Sequence, residues 1–368
     1  MIIGIPKERK NHEYRVGLLP EHVAHLTQQG HQLIVENNAG QVCGYSNDNY
    51  LQAGAIIEES AKKVYRQSQM IVKVKEPLPE EYPWIQPQQV LFTYFHFAAS
   101  ETLTRAMLGS GAVCIAYETI TNQAGQLPLL TPMSEVAGRM AIQQAAKYLE
   151  KPQGGSGKLM GGVTGVSPAN VLIIGGGVVG TEAAKMAAGL GAQVTLLDIN
   201  LVRIKHLDEL LPANVTALYS SPKLIEQLLP QSDVVVGAVL IPGAKAPKLI
   251  SKKMLQTMKK GAVLLDVAID QGGCFETSRP TTHEQPTYIE EGIVHYCVAN
   301  IPGAVPITAT QALTNASFPF VKEIAQLGWK KACEQNHHLA RGLDCAEGTL
   351  HNTSVAEAFA IPYSPNPF

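Results

Sequence analysis

Residues 171–200 read VLIIGGGVVGTEAAKMAAGLGAQVTLLDIN. The apolar run Val171–Ile174 predicts a buried strand. Gly175, Gly177 and Gly180 then match G-x-G-x-x-G, an amphipathic helix follows, and a second apolar run, Val194–Leu197, ends at Asp198. This order suits a dinucleotide. The first glycine allows the tight turn, the second lets backbone approach a pyrophosphate, and the third lets helix and strand pack closely. Free N–H groups at the helix start face the phosphates. An acidic residue ending the second strand can bond a ribose 2′-hydroxyl. The glycine spacing alone is a weak signal; strand, turn, helix, strand and Asp198 in succession make it specific.

Working outward, further apolar runs at Val215–Leu218, Asp233–Val239, Ala262–Val267 and Ile293–Val298 predict a full six-stranded, doubly wound domain. Upstream, strand signals at Ile2–Ile5, Gln32–Glu36, Gln69–Val74, Val90–Phe95 and Ala112–Tyr117 alternate with helical ones. Pro20–Gln29 reads as a helix closed by Gly30, and Glu101–Leu108 as one ended by Gly109. Such alternation predicts a second α/β layer with a mostly parallel sheet. A long helix is expected from Thr131 to about Glu150, with Thr131 as N-cap and Pro132 at the first helical position. The glycine-rich Pro152–Pro168 fails as a phosphate-binding P-loop, because Pro152 stands where Gly is needed and Leu159 follows Lys158. Beyond Asn300, Ile301–Pro306 reads as a turn-rich linker and the remainder as mostly helical. The simplest organisation inserts residues 131–306 between 1–130 and 307–368.

A chain of 368 residues suits about two domains. A charged fraction of 16% and net charge of −2 give no electrostatic case for nucleic acid or an acidic membrane surface. No apolar stretch reaches the roughly 18 residues of a membrane span, and MIIGIPKERK has the reverse polarity of a secretory signal. The six cysteines form no C-x-x-C pair and read as buried thiols in a reducing cytoplasm. No metal signature is visible; His337 and His338 are adjacent and ill-placed to chelate together.

Ligands of open α/β sheets bind beyond the carboxyl ends of strands. That rule selects Arg15 after the first strand, Lys75 after Gln69–Val74 and His96 after Val90–Phe95. It also selects Asp270 and Asn300 beyond the last two strands of the dinucleotide domain. An Arg fork suits a carboxylate, a Lys can polarise a carbonyl, and a His can move protons as hydride leaves. Singly each is ordinary. Arg15 sits in a charged stretch that reads by default as solvated loop, Lys73 and Lys75 could line a sheet edge, Asp266 reads as structural, and Asp270 could cap a turn.

These residues carry a family resemblance. The opening IGIPKE with EYRVGLLP, the segments IVKVKEP and FTYFHFA, the LIIGGGVVG turn, and DVAIDQGGCFETSRPTTH with VANIPGAVP resemble the bacterial L-alanine dehydrogenases over nearly the whole chain. The resemblance implies an α/β protein of two Rossmann-like doubly wound domains, with an NAD-binding domain inserted into a discontinuous substrate domain. It implies NAD-dependent, reversible oxidative deamination of L-alanine to pyruvate and ammonium by a cytoplasmic homohexamer. Carried over by position, Arg15 and Lys75 would bind substrate, His96 would be the acid/base, and Asp270 would assist proton transfer. Ser134 would contact phosphate, Asp198 would select the ribose hydroxyl, and Arg203 would lie near the adenosine. Val239, Val267, Asn300 and Ile301 would line the nicotinamide side, and Val178, Ser220, Leu240 and Val298 complete the expected cofactor set. Ile301 and Ile307 depart from the family pattern, which has Met and Arg there in many members. The NAD-binding module of proton-translocating transhydrogenase resembles the same fold, as do two-domain hydroxy-acid and saccharopine-type dehydrogenases.

Overall fold

The computed structural model describes residues 1–239 and 246–368. The chain divides into two compact units, Met1–Met133 with Val305–Phe368, and Ser134–Ala304. The first unit opens with β1 (Ile2–Ile5), β2 (Gln32–Glu36), β3 (Ile56–Glu58), β4 (Met70–Val72), β5 (Val90–Thr93) and β6 (Val113–Ala116). They pair in the order β3-β2-β1-β4-β5-β6, all parallel. Every residue of β4, β5 and β6 is buried, as a sheet covered on both faces requires, and their Val, Ile and Leu content follows from that. The regular strands are shorter than their apolar runs because the chain turns out at the carboxyl ends to form loops. The helix Glu101–Ser110 runs through Gly109; Gly111, at φ 69°, ends it in the left-handed conformation.

The helix Thr131–Tyr148 takes the chain across the division between units. Thr131 is not its capping acceptor. Its N–H and its hydroxyl both donate to the Leu127 carbonyl, so the residue is already inside a helical turn.

The second unit contains β7 (Asn170–Ile174), β8 (Gln193–Asp198), β9 (Val215–Tyr219), β10 (Val234–Gly237), β11 (Val263–Asp266), β12 (Thr287–Glu290) and β13 (Ile293–Tyr296). The order β9-β8-β7-β10-β11-β13 is parallel throughout, and β12 adds antiparallel outside β13. Leu172, Ile174, Val235 and Leu264 pack with Ile250 and Phe275 into a core on one face of this sheet. With the parallel strands alone numbered within each unit, both sheets follow the 3-2-1-4-5-6 winding of dinucleotide-binding folds.

The chain then returns to the first unit through the helix Pro306–Leu327 and two strands, β14 (Leu343–Ala346) and β15 (Thr349–Leu350). β14 lies antiparallel on β6, and β15 on β14. The region is mostly helical, as its sequence reads, and the two short strands are the part that reading did not show. Each unit thus ends its sheet in an antiparallel hairpin, β14–β15 beyond β6 in the first and β12–β13, which includes the sixth parallel strand, in the second, and both turn on a Glu-Gly pair. Glu291 and Gly292 have φ 50° and 74°, and Glu347 and Gly348 have φ 51° and 85°. Two central residues with positive φ match the right-handed twist of a two-residue hairpin. All six cysteines are free and buried. Among the described residues no helix is long and apolar enough to cross a membrane, and no group of three His, Cys, Asp or Glu side chains is placed to hold a metal.

Candidate functional site

In the first unit the winding reverses between β1 and β4. Arg15 follows β1, Lys75 follows β4 and His96 follows β5, so all three occupy carboxyl-end loops beside the switch point. Arg15 is not a solvated loop residue: it is 2% exposed. Its Nε and one terminal nitrogen donate to the two Glu13 carboxylate oxygens at 2.7 and 2.5 Å, and Nη1 lies 2.9 Å from Met133 Sδ. Burial disfavours the guanidinium charge, but the Glu13 carboxylate more than offsets it, so Arg15 holds its proton more firmly than usual. The bidentate pair fixes the guanidinium plane.

Burial, and then the charge of Arg15, pull the Lys75 ammonium below its ordinary range. Its backbone is held from behind: Glu8 Oε1 accepts from the N–H groups of Val74 and Lys75 at 2.7 and 3.3 Å. Burial pushes the Glu8 carboxyl up to about 7, against the pull of Lys73. Lys73 does not line a sheet edge. Its Nζ donates to both Glu81 oxygens at 2.9 and 3.1 Å, and Tyr65 donates its hydroxyl to the same carboxylate. Lys73 is thus committed to an internal ion pair, and Lys75 is the lysine left at the carboxyl end of the sheet.

His96 is exposed, between two buried neighbours, Phe95 and Phe97, whose rings stack at 4.5 Å. The local sequence Phe-His-Phe makes this possible: burying both aromatics forces the intervening residue outward. The backbone does so at φ 52°, a left-handed conformation that costs a non-glycine residue on the order of 1–3 kcal/mol. The imidazole lies parallel to the Tyr94 ring at 5.8 Å, and the Tyr94 hydroxyl is tied to the Leu129 carbonyl. A fixed cation, a second amine of weakened basicity and an imidazole are therefore collected at one sheet end. That set can bind a carboxylate, polarise a carbonyl and move a proton.

The second unit places its glycine turn at its own switch point, between β7 and β10. Gly175 has φ 106°, and a Cβ there would lie 2.6 Å from the Ala238 carbonyl at the end of β10. A Cβ on Gly180 would fall 1.8 Å from the Gly175 carbonyl oxygen, so this residue sets how closely helix Val178–Gly189 meets β7. A Cβ on Gly177 would meet nothing within 4 Å. The three glycines thus divide into turn, open approach and close packing, and the turn fits a dinucleotide. Asp198, ending β8, accepts from Gly176 N–H at 2.7 Å and Asn200 N–H at 2.8 Å. A carboxylate has further acceptor sites for a ribose hydroxyl, and its charge opposes a 2′-phosphate. Arg203 braces the same turn, donating to the Gly176 carbonyl at 2.7 Å and to the Thr181 hydroxyl at 2.8 Å.

Ser134 and Val178 lie at or near helix starts, partly exposed, and Ser220 follows β9 with its N–H on the Asp198 carbonyl. Val239, Val267 and Val298 follow β10, β11 and β13; Val239 and Val267 are half-buried and Val298 is buried. Asp270 is exposed on a short helical turn, Asn300 has φ 62°, and Ile301 is buried. Leu240 lies outside the described residues. Asp266 is structural: it accepts from Cys274 N–H, Phe275 N–H and the Ser278 hydroxyl, closing the loop that carries Asp270.

Matches to family models cover most of the chain. Residues 4–137 match the alanine dehydrogenase/PNT N-terminal domain and residues 141–353 the C-terminal domain. This chain belongs to the alanine dehydrogenase/PNT family. It is 54% identical over 363 residues to an alanine dehydrogenase of Halomonas elongata, covering 99% of this chain and 98% of that protein. It is 52% identical over 365 residues to one from Staphylococcus saprophyticus, with the same coverage. A solved L-alanine dehydrogenase structure superposes with a TM-score of 0.95 at 50% identity, over 98% of this chain and 99% of that one. A transhydrogenase from Sinorhizobium meliloti superposes at 0.82 with 22% identity, over 95% of this chain and all of that one, a likeness of fold.

Within this alanine dehydrogenase/PNT member the sequence reading missed Glu8, Glu13 and Glu118, the carboxylates that hold the candidate residues. A signal for Glu118 existed. It stands two residues past β6, and the strand-end rule that selects Lys75 and His96 selects it equally.

Proposed function

We propose that this chain catalyses the NAD-dependent, reversible oxidative deamination of L-alanine to pyruvate and ammonium. The observation that carries the reading is the near-full-length match, at about half identity, to proteins named alanine dehydrogenase. NAD supplies the hydride acceptor when bound, held over the Gly175–Gly180 turn with Asp198 on its ribose. Arg15, fixed by Glu13, binds the substrate carboxylate. Lys75 lies close enough to Arg15 to feel its charge and donates to the oxygen that becomes the pyruvate carbonyl, where negative charge develops as water adds. His96, exposed at the sheet end, takes the proton from the substrate ammonium before hydride leaves Cα, and returns protons as the imine is hydrolysed. Asp270 assists these transfers. Ser134, Arg203 and the residues after β10, β11 and β13 complete the cofactor contacts, and a cytoplasmic homohexamer is part of the same reading.

The test is NADH oxidation with pyruvate, followed by absorbance with and without ammonium. Consumption that requires ammonium supports reductive amination. Consumption without ammonium would replace it with a hydroxy-acid dehydrogenase. Binding of NADH with no consumption in either case would favour a transhydrogenase-like hydride carrier, the reading the second structural likeness raises.

A further inference from the structure

We propose that Glu118 is the positioning residue of His96, holding the imidazole in place through the backbone rather than through the ring. The inference rests on the reading of His96 as the acid/base group. Glu118 Oε1 accepts from the His96 N–H at 2.5 Å and from the Phe95 N–H at 3.1 Å, and Oε2 lies 3.3 Å from the Phe95 N–H. One carboxylate thus gathers two consecutive amides at the point where the chain bends to φ 52°. Adjacent N–H groups converge on one acceptor only when the backbone curls, so the carboxylate selects the bend that aims His96 outward. Charge-assisted bonds to backbone N–H groups are the stronger kind. They oppose the strain that would otherwise let His96 relax into the extended conformation of β5.

Asp344, buried on β14, is the acidic group beside Glu118, and burial followed by the Glu118 charge raises the Asp344 carboxyl. Thr119 and Asn352 donate to Asp344 Oδ1, each at 3.1 Å, and neither hydrogen bond draws on Glu118. Asp344 thus has its own donors, and the Glu118 carboxylate is left facing the two amides. The packing of Phe95 and Phe97 fixes where the loop is anchored, and Glu118 fixes the direction in which its apex points.

The test uses the full-length enzyme with E118Q, which keeps the side-chain volume but turns an N–H₂ group or a weaker acceptor towards the amides. E118A removes the acceptor outright. Misplacing a reacting group by about 1 Å can cost on the order of 100-fold. The expected result is a fall in kcat of about 10-fold or more for E118Q and about 100-fold for E118A. NADH affinity, which belongs to the other unit, stays unchanged. A purely structural role would lower thermal stability and reduce both readouts together. The deciding measurement is therefore a double-mutant cycle: E118Q placed in an H96A background should cost no further activity. Undiminished kcat in E118Q, a matching loss of NADH affinity, or an additive loss in the H96A background would each overturn the proposal. Full turnover by H96A alone would instead remove His96 as the acid/base group, a failure of the prior reading that is visible before any Glu118 variant is made.

Discussion

Replacing Asp344 by Asn should stabilise the protein increasingly as pH rises. Asp344 is 3% exposed on β14, and its carboxyl is raised from 3.8 to about 8 by burial and by the neighbouring charge of Glu118. An unfolded chain ionises the same group near 4. Between those values the native state keeps a proton that the unfolded state has lost. The stability contributed by the neutral carboxyl is therefore complete below about pH 4 and disappears as pH rises through the folded value. The slope is about 1.4 kcal/mol per pH unit, or about 3 kcal/mol between pH 5 and 7.5. Asn retains the Oδ1 acceptor that Thr119 and Asn352 use and cannot ionise, so D344N lacks this loss. Urea unfolding at several pH values, at fixed protein concentration, measures the difference. Trp84 and Trp329 are the only tryptophans, and both lie in the unit that contains Asp344, so their fluorescence reports the relevant transition. The gap between D344N and the parent should widen steadily from pH 5 to 7.5. Parallel pH dependences would refute the argument, since they would mean that Asp344 is ionised in the folded protein at neutral pH.

Three further outcomes are expected. Gly177→Ala and Gly180→Ala should separate cofactor binding from folding: the first meets no protein atom and should weaken NADH in fluorescence titration with little change in Tm, whereas the second places a methyl 1.8 Å from a carbonyl oxygen and should lower Tm by several degrees. Lys73→Met leaves the Glu81 carboxylate buried without its ammonium partner and should destabilise by about 3–5 kcal/mol in denaturant unfolding; a loss below about 1 kcal/mol would show the pair to be solvated. Asp198→Ala should weaken NADH by about 10-fold or more while narrowing its advantage over NADPH, read from paired titrations.

The second unit was the more legible in sequence, and the reason is chemical. A strand–glycine–helix–acid succession constrains several residue types at fixed spacing, and six apolar runs mark the six parallel strands. The first unit announced its strands equally well through Ile2–Ile5, Gln32–Glu36 and Val90–Thr93, but Ile56–Glu58 is three residues long and partly exposed, too short to show a period. β14 and β15 were hidden for another reason. Their turn is Glu-Gly rather than the Asn-Gly or Asp-Gly that marks such hairpins, and β15 is two residues long. Arg15, Lys75 and His96 were findable because they follow strands. Glu13 and Glu8 were not, because their function is to meet residues 2 and 66 positions away in ways that only the folded backbone decides. Lys73 shows the converse limit: it shares a strand run and residue type with Lys75, and only the position of Glu81 separates an internal ion pair from a candidate site residue.

The interrupted first unit also sets a timetable. β6 leaves the ribosome with its outer edge unpaired, and the strand that covers it, β14, is encoded beyond the whole of Ser134–Ala304. At about 5–20 residues per second, translating those roughly 170 residues takes about 10–30 s. Throughout that interval the nascent chain displays an open edge of sequence Val-Cys-Ile-Ala, the kind of surface on which strands of neighbouring chains add. Slower synthesis lengthens the exposure and faster synthesis shortens it, so the yield of this protein should depend on translation speed through the second unit rather than through the first.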